Sequence, residues 1–149
     1  YLVAELLPRV RRRVASAADR GGEPVRLIGW SLGGVLAREV ARDAPDLVRS
    51  VITLGSPIVG GPKYTAVGRI YAQQGVDLDA RGVDIESREA TPIRVPITAI
   101  WSRADGIVAW QACVDRRSPD VENVEVVATH LGLGFAADVY RVIAERLPR

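Results

Sequence analysis

The sequence contains few of the residues that form disulfides or bind metal ions. It has one cysteine, Cys113, and one histidine, His130. A single cysteine excludes an internal disulfide, and one histidine with one cysteine supplies too few ligands for most zinc or iron–sulfur sites. There is also no EF-hand loop rich in aspartate and glycine. We therefore expect no metal and no cofactor, and a chain of this length can build a core without them.

Long hydrophobic runs and an excess of one charge are also missing. The longest uncharged stretches, residues 51–62 and 126–137, are about half of the roughly 20 residues that a transmembrane helix needs. The sequence has 20 basic and 18 acidic side chains, and a net charge of +2 is weak evidence for nucleic acid binding. The mostly apolar residues 1–7 precede the first arginines, whereas a secretory signal places its positive region first. This leaves the cytoplasm as the default compartment. We expect one domain over residues 1–149, with neither a nucleic acid partner nor a membrane span.

The spacing of apolar residues alternates between a helical period and short strand-like runs. Helices are predicted at residues 2–18, 32–44 and 135–147, and strands at residues 25–29, 51–54, 97–101 and 124–127. Pro8 is a point where the first helix would kink or restart. Strands that alternate with helices predict an α/β fold, with a mainly parallel sheet of about four strands between two layers of helices. Residues 57–96 interrupt this pattern and predict a small cap-like excursion, with a short helix at residues 64–73.

The most informative segment is a G-x-S-x-G motif in residues 29–34 (GWSLGG), between a predicted strand and a predicted helix. A serine nucleophile needs such a tight turn, and the flanking glycines let neighbouring backbone approach it. The helix N-terminus points its free N–H groups toward the oxygen that becomes negative in acyl transfer, so the Leu32 N–H is a candidate oxyanion donor. Trp30 is a candidate substrate contact. The alternative interpretation is a glycine-rich structural turn without catalysis.

A serine nucleophile also needs a base and an acid that orients the base. His130 follows the fourth predicted strand by three residues, at the sheet edge where active sites of parallel sheets collect. Asp105 follows the third predicted strand by four residues and lies between Ser31 and His130 in chain order. Without the serine motif, His130 would be an ordinary packed or solvated residue and Asp105 part of an Asp-Gly turn. The less well placed alternatives to Asp105 are Asp115, Asp120 and Glu122.

Four segments of the sequence resemble the α/β-hydrolase superfamily. They are residues 29–34 (GWSLGG), 53–57 (TLGSP), 101–108 (WSRADGIV) and 130–134 (HLGLG). The order Ser31, Asp105, His130 agrees with this family, and the likeness is narrower to bacterial lipase-like or esterase-like hydrolases. The resemblance implies a small-molecule ester as substrate. Ser31 would attack its carbonyl, His130 would take and return the proton, and Asp105 would hold the imidazole.

The resemblance includes one departure from the family pattern. Such hydrolases have about eight strands with the nucleophile after the fifth, whereas Ser31 follows the first predicted strand. The resemblance therefore implies that about four N-terminal strands are missing, together with the loop that gives the second oxyanion N–H. The strand at residues 25–29 would then be an exposed edge that favours a homodimer. Two other functions stay open: acyl transfer or thioester hydrolysis on the same triad, and a non-catalytic fragment.

Overall fold

The computed structural model describes residues 2–59, 88 and 90–148. The helix predicted at residues 64–73 and most of the cap-like excursion lie outside these residues. The described helices are α1 (Leu2–Gly21), α2 (Leu32–Asp43), α3 (Trp110–Cys113) and α4 (Ala137–Arg146). The described strands are β1 (Val25–Trp30), β2 (Val48–Leu54), β3 (Ile97–Trp101) and β4 (Val121–Glu125). Single 3-10 turns occur at Pro45–Leu47 and Gly132–Gly134.

The four strands form one parallel sheet in the order β1-β2-β3-β4. Trp30 at the end of β1 is in register with Leu54 at the end of β2, and Leu54 is in register with Ile100 near the end of β3. The carboxyl ends of all four strands therefore lie along one edge of the sheet, where ligands bind in open α/β folds. The predicted α/β class and the four-stranded parallel sheet are confirmed.

Helices cover both faces of the sheet. Alternate side chains of the central strands point to opposite faces, and apolar side chains on each face pack against a helix. On one face, Val51 of β2 lies in a cluster with Val14 of α1 and Val40 of α2. On the other face, Ile52 of β2 packs with Ile143 of α4 in a second cluster. These two clusters give the three layers that the sequence predicts. Helix α1 continues through Pro8 rather than restarting there.

The excursion at residues 57–96 returns to the core before β3 begins. Ile93 and Val95 are buried in the same cluster as Val51. At the start of the excursion, the Ile58 N–H donates a hydrogen bond to the carbonyl of Ala112 in α3. Both described ends of this segment are therefore fixed to the α/β core.

The structure differs from the sequence-based prediction in the bounds of several elements and in one additional helix. β2 begins at Val48 rather than at residue 51, and α4 begins at Ala137 rather than at residue 135. The fourth strand was predicted at residues 124–127 but occupies Val121–Glu125, since its ladder to β3 begins where Val121 meets Ile97. Glu122 and Asn123 are exposed, so an apolar run does not mark the beginning of this outer strand. Helix α3 was not predicted, because a single helical turn is too short to show a period.

The predicted exposed edge concerns β1. β1 is the outermost strand of the described sheet on its side, and Ile28 is 48% exposed. A homodimer through this edge stays a prediction. Within the described ranges, none of the helices is long and apolar enough to cross a bilayer.

Candidate active site

Ser31 forms a strained turn between β1 and α2. Its backbone has φ 53° and ψ −122°, and it is the only non-glycine residue with a positive φ among the described residues. The Ser31 N–H donates to the Leu54 carbonyl at 2.9 Å, and the Ser31 carbonyl accepts the Gly34 N–H at 3.1 Å. Such a conformation costs on the order of 1–3 kcal/mol and persists only where the surroundings impose it. The strand-turn-helix context predicted for a serine nucleophile is therefore present.

Two glycines on either side of this turn leave no room for a side chain. A Cβ at Gly29 would overlap backbone atoms of Gly33 and Gly34. A Cβ at Gly34 would overlap the Ser56 hydroxyl and lie 2.8 Å from the Gly29 carbonyl oxygen. At Gly33, by contrast, a Cβ would meet nothing within 4 Å. The close approach predicted for the motif glycines therefore occurs at Gly29 and Gly34, and not at Gly33.

Asp105 and His130 form a buried pair at the carboxyl edge of the sheet. The His130 Nδ1 lies 2.7 Å from the Asp105 Oδ2, and the side chains are 8% and 1% exposed. The other carboxylate oxygen accepts the N–H groups of Ile107 and Val108, each at 2.9 Å. A carboxylate only accepts hydrogen bonds, so the proton belongs on Nδ1 and Nε2 is left as the basic nitrogen. The pair can thus orient an imidazole for general base catalysis.

Gly55, which follows β2, provides the space for this pair, and sequence reasoning did not identify it. It has φ +53°, and a Cβ there would lie 2.9 Å from the Asp105 Oδ2 and 3.2 Å from the His130 Nδ1. The same Cβ would also lie 2.6 Å from the Leu133 Cδ1. Its signal in the sequence was a glycine directly after a buried strand, in the TLGSP segment.

Ser102, which follows β3, joins the loops that carry Asp105 and His130. Its buried hydroxyl oxygen accepts the N–H of Ala104 and the N–H of Ala128, each at 3.1 Å. One side chain therefore fixes both loops relative to the end of β3. Sequence reasoning missed this residue, because its two partners lie 2 and 26 residues further along the chain.

Trp30 and Leu32 lie on either side of Ser31. The Trp30 indole N–H donates to the backbone carbonyl of His130 at 3.1 Å. Leu32 is the first residue of α2, where backbone N–H groups have no partner within the helix. Ser31, Asp105 and His130 all follow the carboxyl ends of strands, so the structure brings the three predicted residues to one edge. The substrate contact of Trp30 and the oxyanion role of Leu32 stay predictions.

The three acids considered as alternatives to Asp105 do not contact His130 and have other partners or positions. Asp115 and Asp120 precede β4 and Glu122 is its second residue, so all three belong to the amino-terminal side of that strand. The Asp115 carboxylate pairs with Arg38 at 2.7 Å, and that of Glu122 pairs with Arg146. Among the acids considered, Asp105 is the one that contacts His130.

Asp115 is expected to stabilise the fold rather than take part in chemistry. Burial alone would raise the pKa of this carboxyl, but Arg38, the Ser118 hydroxyl and two backbone N–H groups outweigh it and lower the pKa to about 2. The folded-state pKa is thus below the unfolded value, so the stabilisation is present above about pH 4 and is lost as the pH falls toward 2. A shift of this size corresponds to about 2 kcal/mol.

We expect Asp115→Asn to lower the free energy of unfolding at pH 7 by about 2–4 kcal/mol, since it leaves the Arg38 guanidinium buried without its counter-charge. The variant should also lose part of the acid sensitivity between pH 4 and pH 2. Urea unfolding of both proteins at pH 7 and pH 3 measures this. Asp138→Asn, at an exposed ion pair with Arg141, is the control and should change stability by less than about 0.5 kcal/mol. Equal stability of Asp115→Asn and wild type at pH 7 would contradict the prediction.

Cys113 does not offer a second nucleophile. Burial, with a smaller effect from the Asp105 charge, raises the pKa of this thiol to about 12, so it stays protonated at neutral pH. In the part of the chain that the structure describes, no group of three histidine, cysteine or acidic residues is arranged to hold a metal ion.

No family model matches the chain. Several solved structures do, and three of them are typical. The monoacylglycerol lipase of Paleococcus ferrophilus is 16% identical with a TM-score of 0.66, over 93% of this chain and 74% of its own. The mouse α/β hydrolase domain-containing protein 10 is 23% identical with a TM-score of 0.60, over 93% and 67%. A lipase-esterase related protein from Clostridium acetobutylicum is 16% identical with a TM-score of 0.64, over 96% and 73%.

These comparisons cover most of this chain and about two thirds to three quarters of each similar structure. At 16–23% identity, the likeness concerns the path of the backbone rather than the chemistry of the site. It agrees with the parallel sheet and with the helices on both of its faces. The chain has the α/β-hydrolase fold.

Proposed function

We propose that the chain is a serine hydrolase of carboxylic esters, with Ser31 as nucleophile, His130 as general base and Asp105 as the residue that orients His130. The observation that carries this proposal is the Asp105–His130 pair, with its 2.7 Å contact, at the sheet edge where the strained Ser31 also lies. A buried carboxylate on Nδ1 and a serine on a strand-to-helix turn are the parts that acyl transfer to serine requires.

In the proposed reaction, the Ser31 Oγ forms a bond to the ester carbonyl carbon while the His130 Nε2 accepts the hydroxyl proton. The carbonyl oxygen becomes negative and accepts a hydrogen bond from the Leu32 N–H at the start of α2. His130 then gives its proton to the leaving alkoxide, which departs as an alcohol and leaves an acyl group on Ser31. A water molecule then attacks the acyl carbon while the His130 Nε2 accepts a water proton. The bond between the acyl carbon and the Ser31 Oγ breaks, His130 returns the proton to this oxygen, and the carboxylic acid is released.

The choice of an ester rests on the proteins that share the fold. The similar structures include a monoacylglycerol lipase and a lipase-esterase related protein. A Ser-His-Asp site does not by itself select water as acceptor, so an acyltransferase or thioesterase would use the same three residues. Product analysis with alcohol and thiol acceptors beside water distinguishes these reactions.

The test is labelling with a fluorophosphonate, which reacts only with an activated serine, followed by peptide mass spectrometry. We expect an adduct on Ser31 in the wild type and none in Ser31→Ala or His130→Ala. Hydrolysis of a short-chain nitrophenyl ester should fall by at least about 10⁴-fold in the same two variants. Ser16→Ala, at an exposed serine of α1, is the matched control and should label normally. A folded wild type without an adduct, or undiminished turnover in Ser31→Ala, would contradict the proposal.

A further inference from the structure

We infer that Trp30 is a positioning residue that fixes the distance between Ser31 and His130. The inference rests on the proposed function, because it concerns the same site. Trp30 is the last residue of β1 and directly precedes Ser31. Its indole Nε1 donates a hydrogen bond of 3.1 Å to the carbonyl oxygen of His130, a residue 100 positions further along the chain. The side chain next to the nucleophile therefore binds the backbone of the proposed base.

The indole ring makes a second contact with the same loop. The ring centroids of Trp30 and His130 are 5.8 Å apart with an interplanar angle of 36°. At Gly134, a Cβ would lie 3.8 Å from two carbon atoms of the Trp30 ring, so the indole also packs against the turn that follows His130. Trp30 thus contacts this loop both at His130 and four residues later.

Two hydrogen bonds hold His130, one at its ring and one at its backbone. Asp105 holds the imidazole through Nδ1 and fixes the plane of the ring. Trp30 holds the backbone carbonyl from the side of β1. Asp105 and Ser102 belong to the β3 side of the site, so they do not tie His130 to the strand that carries Ser31. The Trp30 hydrogen bond supplies that connection, and it leads to the nucleophile through one peptide bond.

Such a connection matters because proton transfer between Ser31 and His130 depends steeply on their separation. A misplacement of about 1 Å costs on the order of 10²-fold in rate. Removing the indole N–H should therefore lower kcat by about 10- to 100-fold. KM should change by less than about threefold, since the hydrogen bond lies between two parts of the protein rather than between protein and ester.

The test compares Trp30→Phe, which keeps an aromatic ring but removes the N–H donor, with Trp110→Phe. Trp110, the first residue of α3, stacks on Trp101 at the end of β3 and is the matched control. Turnover is normalised to the fraction of Ser31 that a fluorophosphonate titrates, so that unfolded protein does not lower kcat. We expect the loss of kcat at unchanged KM in Trp30→Phe only. A kcat within threefold of the wild type in Trp30→Phe would overturn the inference, whatever the other measurements show.

A second measurement does not depend on activity. Hydrogen exchange of the peptide that covers residues 129–135 should be faster in Trp30→Phe and unchanged in Trp110→Phe, because the loop loses one of its ties. If the wild type neither hydrolyses esters nor labels at Ser31, the proposed function fails, and exchange alone decides whether Trp30 holds the loop. Equal exchange in all three proteins would then overturn the inference.

Discussion

Replacing Asp105 with asparagine is expected to lower kcat for ester hydrolysis by about 10⁴-fold while the protein stays folded. The carboxylate accepts from the His130 Nδ1 on one oxygen and from two backbone N–H groups on the other. An asparagine keeps the backbone contacts by placing its oxygen toward them, which turns its NH₂ group toward Nδ1. The Nδ1 must then accept, the proton moves to Nε2, and the imidazole loses the lone pair that would take the Ser31 proton.

This prediction is measured by kcat for a short-chain ester and by nitrogen NMR of the imidazole. The chain contains a single histidine, so its ring signals need no further assignment. We expect the Nδ1–H tautomer in the wild type and the Nε2–H tautomer in Asp105→Asn. Asp120→Asn, at an exposed acid before β4, is the matched control and should stay within threefold of the wild type. A fully active Asp105→Asn would remove Asp105 from the proposed mechanism.

The sequence predicts the parts of this site that lie within single segments. The strand before Ser31 and the helix after it follow from an apolar run and a helical period, and β3 matches its prediction from Ile97 to Trp101. That strand is buried along its whole length, so its apolar run and its boundaries coincide. β4 begins three residues before its predicted start and ends two residues before its predicted end, because its pairing with β3 and not its own composition decides where it begins.

The parts that the sequence does not predict depend on contacts between distant segments. The Trp30 indole reaches a carbonyl 100 residues away, and the Ser102 hydroxyl accepts from an N–H 26 residues away. Gly55 is required because Asp105 and His130 both approach the space beside its Cα. No local pattern contains this information, since each requirement arises only when segments at the carboxyl ends of different strands meet.

The second large effect is expected from alanine substitutions at the glycines of the serine motif, which should lower the stability of the fold. Gly29→Ala is expected to lower the free energy of unfolding by more than about 3 kcal/mol. Its Cβ would overlap backbone atoms of Gly33 and Gly34, and backbone in the first turn of α2 cannot move without displacing the helix. Gly34→Ala should also destabilise, by about 2–3 kcal/mol, because part of its overlap is with the Ser56 side chain.

Gly33→Ala is the matched control within the same six residues. It meets no atom within 4 Å, its φ is not in the left-handed region, and it lies in the first turn of α2. Alanine is favoured over glycine in a helix, so this variant should be as stable as the wild type or more stable by up to about 1 kcal/mol. Urea unfolding of the three alanine variants gives the order Gly33, Gly34, Gly29 from most to least stable. If Gly33→Ala were the least stable, the close packing that holds Ser31 in its strained conformation would not be at Gly29 and Gly34.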